Sequence, residues 1–219
     1  MSANQRIAWD DKYDSQGVLW SRAHDDWFKL RDEDLVLDLG SGSGKSVRSM
    51  RGEVVAVDFS LIALKAARER LPPVSAICAN IKNLPFRESV FDFIRASFVL
   101  DHLNKSEQEG AMAGIKEVMK PGACIAVECF SASDGRYIGA DLDKNGDFMD
   151  GDGILHHPFN ETEIPNLMSG LKIELLAEKS WNQGIGSGET MNRRIIRILA
   201  RKQEKDRGSV PPLRGLSDC

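Results

Sequence analysis

The chain has 219 residues, of which 42% are hydrophobic and 28% are charged, with a formal net charge of −4. These proportions are those of an ordinary globular protein and exclude a disordered or fibrous chain. The lack of a basic excess argues against nucleic acid as the main partner, because such binding depends on neutralising phosphates. No apolar run approaches the roughly 20 residues of a membrane span, the first residues lack the apolar segment of a secretory signal, and the four cysteines show no metal-ligand spacing. We therefore expect a cytoplasmic protein that makes no membrane contact.

From residue 35 the sequence alternates short apolar runs with amphipathic segments. Seven runs, rich in β-branched residues, predict strands at 35–40, 54–59, 74–79, 91–96, 123–130, 172–180 and 194–200. Helices are predicted to begin at a capping residue or capping box: at Ser60, at Ser106 with Glu109, and at Asn160 with Glu163. Strands that alternate with helices indicate an α/β fold with a parallel sheet. We expect one domain over residues 1–200 and a flexible tail over 201–219, which is poor in apolar residues.

Three alternating glycines, Gly40, Gly42 and Gly44, directly follow the first predicted strand and precede a predicted helix. Glycine is needed where the backbone turns sharply or lets a ligand approach closely, and ligands bind at the carboxyl ends of parallel strands. A dinucleotide fingerprint fails here because Lys45 stands where its third glycine belongs, and a P-loop fails because Leu39 replaces its first glycine. This argues against a nicotinamide dehydrogenase.

An acidic residue, Asp38, two positions before these glycines resembles motif I of the class I S-adenosylmethionine-dependent methyltransferases. Further resemblances follow in the family's order through about residue 130, including NLPF and MKPGA. The resemblance implies a Rossmann-like seven-stranded sheet of order 3-2-1-4-5-7-6 with the last strand antiparallel. It also implies S-adenosylmethionine as cofactor and S-adenosylhomocysteine as product.

The resemblance also implies which residues hold that cofactor. Asp58, at the end of the second strand, would bind both ribose hydroxyls, and Asn80, after the third strand, would read the adenine edge, although many relatives carry aspartate there. A turn-forming role is the alternative for Asn80. The full set of implied cofactor residues in the core is Asp38, Gly40, Ser41, Gly42, Gly44, Asp58, Phe59, Asn80, Ile81 and Ser97.

The amino-terminal segment contains three tryptophans and a tyrosine before the first core strand. It resembles the W-x-x-x-Y…W opening of the small-molecule (type 11) branch of the family, which implies a lid over residues 1–30. In that reading Arg22 would hold the cofactor's carboxylate and Trp20 would line the substrate pocket. The alternative is that Trp9, Trp20 and Trp27 form the packing face of an amphipathic helix.

Three histidines lie on the predicted substrate side. His102 follows the fourth strand and could act as a general base, since its ordinary pKa is near 6.5; a structural role is the alternative. His156 and His157 belong to a predicted substrate-side insertion, 131–165, and could contact the substrate or lie in an exposed loop.

An acidic segment, 141–152, fits the first half of an EF-hand loop. Asp141, Asp143 and Asn145 occupy positions 1, 3 and 5, but Asp152 replaces the bidentate glutamate at position 12. The flanking residues do not predict two helices. An acidic, mobile surface loop is therefore favoured, with calcium binding as the alternative.

The function expected from these features is transfer of a methyl group from S-adenosylmethionine to a small-molecule acceptor by direct in-line displacement. A cofactor-binding regulatory or scaffold protein without transfer activity is the alternative, followed by a calcium-responsive module centred on 141–152.

Overall fold

The computed structural model describes residues 3–17, 27–70, 75–186 and 188–204. Its strands are β1 (Leu35–Leu39), β2 (Glu53–Asp58), β3 (Ser75–Cys78), β4 (Phe91–Ser97), β5 (Met119–Phe130), β6 (Phe148–Met149), β7 (Leu155–His156), β8 (Leu171–Gly186) and β9 (Glu189–Lys202). Seven of them form one sheet in the order β3-β2-β1-β4-β5-β9-β8, and β6 and β7 form a separate two-stranded ribbon. Strands β1 to β5 pair in parallel, whereas β9 is antiparallel to β5 and β8. The predicted α/β class, strand order and antiparallel last strand are confirmed.

Four helices accompany the sheet: α1 (Ala3–Gln16), α2 (Leu61–Arg70), α3 (Lys105–Val118) and α4 (Ile164–Leu167). Short 3-10 turns cover Val47–Ser49, Leu100–His102 and Glu161–Glu163. Among the helices of the described residues, none is long and apolar enough to cross a membrane.

Alternate residues of each central strand point to opposite faces of the sheet, and both faces are covered. Leu37 and Ile94 lie in the larger core, together with Ile115 of α3. Their neighbours Val36 and Phe93 lie in a second core on the other side. Burial on both faces explains why β1 and β4 appear in the sequence as nearly continuous apolar runs.

The segment after the glycines is not the predicted α-helix. It contains one 3-10 turn, Val47–Ser49, before β2 begins at Glu53. Gly40, Gly42, Gly44 and Gly52 all have positive φ in this short connection. Forming the first turn of a helix is unfavourable and is compensated only by the hydrogen bonds of later turns. This short, glycine-rich segment therefore does not form an α-helix.

The capping box of α3 lies two residues earlier than predicted. Asn104 accepts a hydrogen bond from the Glu107 N–H at 3.0 Å, and the Glu107 carboxylate accepts one from the Asn104 N–H. The Ser106–Glu109 prediction was therefore wrong, since both pairs match the same spacing pattern. The predicted Asn160–Glu163 box is present.

The end of the domain also differs from the prediction. The last two strands were predicted over 172–180 and 194–200, but β8 and β9 extend through the glycine-rich segment between these ranges, reaching Gly186 and Glu189. Strand β9 continues to Lys202, so Arg201 and Lys202 belong to the sheet and not to a tail. Residues 205–219 lie outside the described part of the chain.

Candidate active site

The glycine turn lies at the carboxyl end of β1, where its conformation requires glycine. Gly40, Gly42 and Gly44 have φ values of +65°, +54° and +78°. A Cβ on Gly40 would lie 2.8 Å from Val99, and one on Gly42 would lie 2.6 Å from the Tyr13 hydroxyl. Both distances are far below an ordinary carbon contact, so these positions have no room for a side chain.

Asp58, the last residue of β2, faces this turn. Its Oδ2 accepts a hydrogen bond from the Gly42 N–H at 2.8 Å, and its Oδ1 accepts one from the Ser60 N–H at 2.8 Å. Burial raises the pKa of Asp58 to about 6, against the effect of these N–H groups. The group is therefore ionised at neutral pH, and each carboxylate oxygen keeps a lone pair for another donor.

An apolar wall adjoins Asp58 and lines a small cavity at the ends of β2 and β4. Its residues are Gly40, Val57, Asp58, Phe59, Ala79, Ile81 and Val99. The structure thus brings Phe59 and Ile81 together with the glycine turn, as the sequence predicted. Asn80 lies beside this wall, where its Oδ1 accepts a hydrogen bond from the Lys82 N–H at 3.1 Å and caps a tight turn.

Helix α1 covers the glycine turn. Tyr13 is buried, its hydroxyl lies over Gly42, and burial together with the nearby Asp58 charge raises its pKa. The buried Ser41 Oγ hydrogen-bonds to no described residue. Sequence reasoning did not select Tyr13, although its i, i+4 spacing from Trp9 placed both rings on one helix face.

The alternative given for Trp9, packing on a helix face, agrees with the structure, whereas Trp27 lies outside the helices. The Trp9 ring is buried and lies 5.9 Å from the ring of Tyr13 and 4.8 Å from that of His102. Trp27 packs against Phe28, with ring centroids 5.5 Å apart. Trp20 and Arg22 lie outside the described residues, so their predicted roles stay predictions.

A buried charged network lies in the sheet below the turn. Arg95 Nη1 donates to Asp38 Oδ1 at 3.1 Å, and both side chains are almost fully buried. Glu128 of β5 accepts hydrogen bonds from Ser97 Oγ and Arg197 Nε, each at 3.0 Å, and lies 3.9 Å from Arg95. Asp38 and Ser97, both predicted cofactor residues, are thus linked across four strands beneath the candidate site.

His102 lies at the carboxyl end of β4 in a defined tautomeric state. Its Nδ1 is 2.8 Å from the Leu155 carbonyl oxygen. Because a carbonyl only accepts, Nδ1 must carry the hydrogen. Burial and the neighbouring His156 lower the pKa of His102 to about 3, so the ring is neutral and Nε2 keeps its lone pair. Such a nitrogen can accept a hydrogen bond from a bound molecule.

His156 and His157 are not in an exposed loop, since their exposed fractions are only 5% and 2%. His156 Nε2 lies 2.9 Å from Asp150 Oδ2, and His157 Nδ1 lies 2.6 Å from Asp147 Oδ1. The two carboxylates belong to the acidic segment, and sequence reasoning missed both. Two of the predicted features, the histidine pair and the acidic segment, therefore form one unit.

The acidic segment does not resemble a calcium loop in the structure. Asp143 Oδ1 accepts hydrogen bonds from the backbone N–H groups of Asn145 and Asp147, at 2.7 and 3.0 Å. Asp152 pairs with Lys12 Nζ at 2.8 Å, and Asp141 is exposed. Within the described ranges, no group of three or more His, Cys, Asp or Glu side chains is arranged to hold a metal ion. The four predicted ligands are not brought together.

Asp101 is a second buried acid that the sequence did not single out as a site residue. Its Oδ1 accepts a hydrogen bond from the Phe130 N–H at 2.5 Å, while Oδ2 has no partner in the part of the chain that the structure describes. Burial raises the pKa of Asp101 to about 8. This carboxyl is therefore mostly protonated at neutral pH.

Known proteins with related sequences match part of the chain. The family described as "Methyltransferase domain" matches residues 37–127. Over 99 residues the chain is 37% identical to the demethylmenaquinone methyltransferase of Renibacterium salmoninarum, a match that covers 44% of this chain and 41% of that protein. The chain thus corresponds to less than half of that relative's length.

Solved structures extend the likeness to most of the fold. A SAM-dependent methyltransferase of Methanosarcina mazei has a TM-score of 0.67 and 23% identity, over 80% of this chain and 95% of the other. The 1,6-didemethyltoxoflavin-N1-methyltransferase of Burkholderia thailandensis, solved with bound S-adenosylhomocysteine, has a TM-score of 0.55 and 18% identity, over 92% and 79%. The family match spans the strands that carry the glycine turn and Asp58, so the chain is similar to methyltransferases in the region of the candidate site. The solved structures show the same fold over most of the chain.

Proposed function

We propose that the protein transfers a methyl group from S-adenosylmethionine to a small-molecule acceptor by direct in-line displacement. The observation that carries the proposal is the buried Asp58 carboxylate facing a glycine turn that has no room for a Cβ. S-adenosylmethionine supplies a methyl group on a positively charged sulfur, which leaves as a neutral thioether. The chain's own residues bind, orient and exclude water.

The residues present fit this cofactor. In our proposal Asp58 accepts hydrogen bonds from the ribose hydroxyls, and Phe59 and Ile81 enclose the adenine, with Asn80 at its edge. The unpartnered Ser41 hydroxyl and the Tyr13 hydroxyl over Gly42 supply further polar contacts at the turn. Arg22 and Trp20 of the amino-terminal lid stay in the proposal as contacts to the cofactor's carboxylate and to the acceptor.

For the acceptor side we propose that His102 is the base. Its Nε2 lone pair accepts the proton that the acceptor loses, while Nδ1–H stays on the Leu155 carbonyl. Phe98 and Phe130 stack at 4.6 Å at the ends of β4 and β5, which favours a flat aromatic acceptor. The name of the demethylmenaquinone methyltransferase relative supports the same class, so we propose a hydroquinone-like ring.

Calorimetric titration with S-adenosylhomocysteine tests the cofactor half of the proposal. We expect Asp58→Ala to weaken binding by at least about tenfold, because two charge-assisted hydrogen bonds are lost. Asp92→Ala is the matched control, since Asp92 binds the Leu35 N–H at the opposite, amino-terminal edge of the sheet. An unbound wild type, or equal binding by Asp58→Ala, would contradict the proposal.

Transfer itself is tested with radiolabelled S-adenosylmethionine and reduced 1,4-naphthoquinone as a probe acceptor. We expect His102→Gln to lower kcat by about 100-fold without changing affinity for S-adenosylhomocysteine, as for loss of a general base. Unchanged turnover by His102→Gln would remove His102 from the mechanism.

A further inference from the structure

The Asp150 carboxylate accepts three hydrogen bonds within and beside the ribbon formed by β6 and β7. Asp150 Oδ1 accepts hydrogen bonds from the N–H groups of Asp152 and Ile154, at 3.0 and 2.9 Å, and so closes the turn between the strands. Its Oδ2 accepts a hydrogen bond from His156 Nε2 at 2.9 Å. A single side chain therefore fixes both the turn and the imidazole that follows it.

A second carboxylate holds the next residue in the same way. Asp147 Oδ1 binds His157 Nδ1 at 2.6 Å, and Glu163 lies 3.3 Å from the other ring nitrogen. The Asp147 backbone is itself held by Asp143 Oδ1 at 3.0 Å. The acidic segment thus contributes two sets of side-chain hydrogen bonds, and each set includes a buried histidine.

The segment that these carboxylates fix is docked on the Leu100–His102 turn by two hydrogen bonds. The His157 N–H donates to the Asp101 carbonyl at 2.7 Å. On the other side of His156, the Leu155 carbonyl accepts from His102 Nδ1 at 2.8 Å. The position of the Leu155 carbonyl therefore decides which nitrogen of His102 carries its proton.

We propose that the acidic segment 141–152 is a positioning device for His102: Asp150 and Asp147, acting through His156 and His157, hold the Leu155 carbonyl where it fixes the tautomer and orientation of the ring. The inference rests on the proposed function only for the catalytic use of His102. The positioning itself is a property of the folded chain. Asp147 and Asp150 are positioning residues because they act through other side chains.

The same arrangement handles the proton that His102 would take up. The acceptor's O–H or N–H bond would break and its proton would form a bond to His102 Nε2. The electron pair left on the acceptor would bond to the methyl carbon as the methyl–sulfur bond breaks, and the electron pair of that bond would stay on the departing sulfur. The resulting imidazolium faces the His156 ring at 5.0 Å and the ring of Trp9. Of the charged groups that act on His102, Asp150 favours the protonated ring, whereas Arg136 and His156 disfavour it.

Nitrogen-15 NMR of the histidine side chains tests the positioning directly and needs no acceptor. The chain has four histidines, so the His102 signals are assigned from His102→Gln. The wild type should show the Nδ1–H tautomer of a neutral His102 at pH 7. In Asp150→Asn, one side-chain oxygen replaces the two carboxylate oxygens that accept from three donors, so the turn and His156 are held less firmly. Because the Leu155 carbonyl is then less well placed, we expect the His102 signal to shift toward a mixture of tautomers.

Asp141→Asn is the matched control, because it removes the same charge from the same segment. Asp141 is exposed and forms no hydrogen bond or ion pair with the described residues, so its signals should match the wild type. A His102 that keeps the pure Nδ1–H form in folded Asp150→Asn would overturn the proposal, as would a wild type in the Nε2–H form. Should Asp150→Asn fail to fold, Asp147→Asn tests the second carboxylate by the same signals.

Turnover with reduced 1,4-naphthoquinone gives the second readout. We expect Asp150→Asn to lower kcat by about 10- to 100-fold, as for a small misplacement of a reacting group, with unchanged affinity for S-adenosylhomocysteine. Loss of S-adenosylhomocysteine binding by the wild type would instead contradict the proposed function while leaving the NMR result valid. The two failures are therefore distinguishable.

Discussion

The proposed cofactor side and the proposed acceptor side of the candidate site differ in the groups that surround their key residues. On the cofactor side, Asp58 meets backbone N–H groups of nearby segments, with Gly42 only 16 residues away. On the acceptor side, His102 and Asp101 meet groups 53 and 29 residues distant, and their neighbours are imidazoles and carboxylates. Backbone donors do not titrate near neutral pH, whereas Asp101, whose pKa burial raises to about 8, does. The cofactor side should therefore be insensitive to pH above the Asp58 pKa, and the acceptor side should not.

The largest effect on stability is expected at the buried charged network around Arg95, which lies in the sheet beneath the candidate site. Arg95→Met leaves Asp38 and Glu128 buried with their shared counter-charge removed, so we expect the free energy of unfolding to fall by about 3–5 kcal/mol. Urea unfolding measures this, with Arg51→Met as control because the Arg51 side chain is 73% exposed. A loss below about 1 kcal/mol would show that the two sides do not depend on this network.

The next effect separates the two sides by their response to pH. Asp101 has a folded pKa of about 8 against about 4 when unfolded, so the folded state holds the extra proton between these values. Its contribution to the free energy of unfolding is present at low pH and is lost as pH rises through 8. Asp58 also lowers the free energy of unfolding as pH rises, but only up to its folded pKa of about 6. His102 has a folded pKa lowered to about 3, so it raises the free energy of unfolding as pH rises, and only up to its unfolded pKa of about 6.5.

Between pH 6.5 and 8 the expected change therefore comes mainly from Asp101. We expect the wild type to lose about 2 kcal/mol of unfolding free energy across this range, and Asp101→Asn to flatten the curve, because an amide cannot ionise. Urea unfolding at both pH values checks this. Asp32→Asn, whose side chain is 83% exposed, should keep the wild-type slope. Equal slopes in Asp101→Asn and wild type would mean that Asp101 is ionised throughout.

The smallest effect concerns the cofactor side alone. Gly42→Ala places a Cβ 2.6 Å from the Tyr13 hydroxyl at a φ of +54°, so we expect about tenfold weaker binding of S-adenosylhomocysteine, equivalent to about 1–2 kcal/mol of strain. Gly139→Ala is the matched control, with φ +79° and no atom within 4 Å of the added carbon.

A double variant locates the cause of that loss. If contact with the hydroxyl is responsible, adding Tyr13→Phe should recover part of the affinity lost by Gly42→Ala, beyond its own effect on the wild type. Strictly additive losses would assign the effect to backbone strain only.

The same contrast explains what the sequence could predict. Gly42 and Asp58 follow two strands of a recognisable order, so their meeting requires only the parallel sheet, which apolar patterning predicts. The pairing of His156 with Asp150 and of His157 with Asp147 depends on how an irregular segment folds back, and no periodicity describes it. One signal was available: Gly151 and Gly153, between short apolar runs, are typical of a hairpin turn.

One error, and one alternative that the sequence did not favour, came from patterns that fit more than one place. Asn104 with Glu107 and Ser106 with Glu109 satisfy the same capping spacing, and only the buried position of Leu103 just before the cap distinguishes them. Asp141, Asp143 and Asn145 satisfy calcium-loop spacing, but in the structure Asp143 accepts backbone hydrogen bonds. A spacing rule does not say which of several acceptors the backbone has already engaged.

Gln5 joins the two sides from above. Its side-chain amide donates to the Gly153 carbonyl at 2.8 Å and accepts from the Leu155 N–H at 2.9 Å, while Trp9 and Tyr13 of the same helix cover His102 and the glycine turn. The position of α1 is therefore shared by the cofactor side and the acceptor side. A cofactor-side ligand that favours this position of α1 should raise the affinity for the acceptor. By thermodynamic linkage, the acceptor must then raise the affinity for that ligand by the same factor.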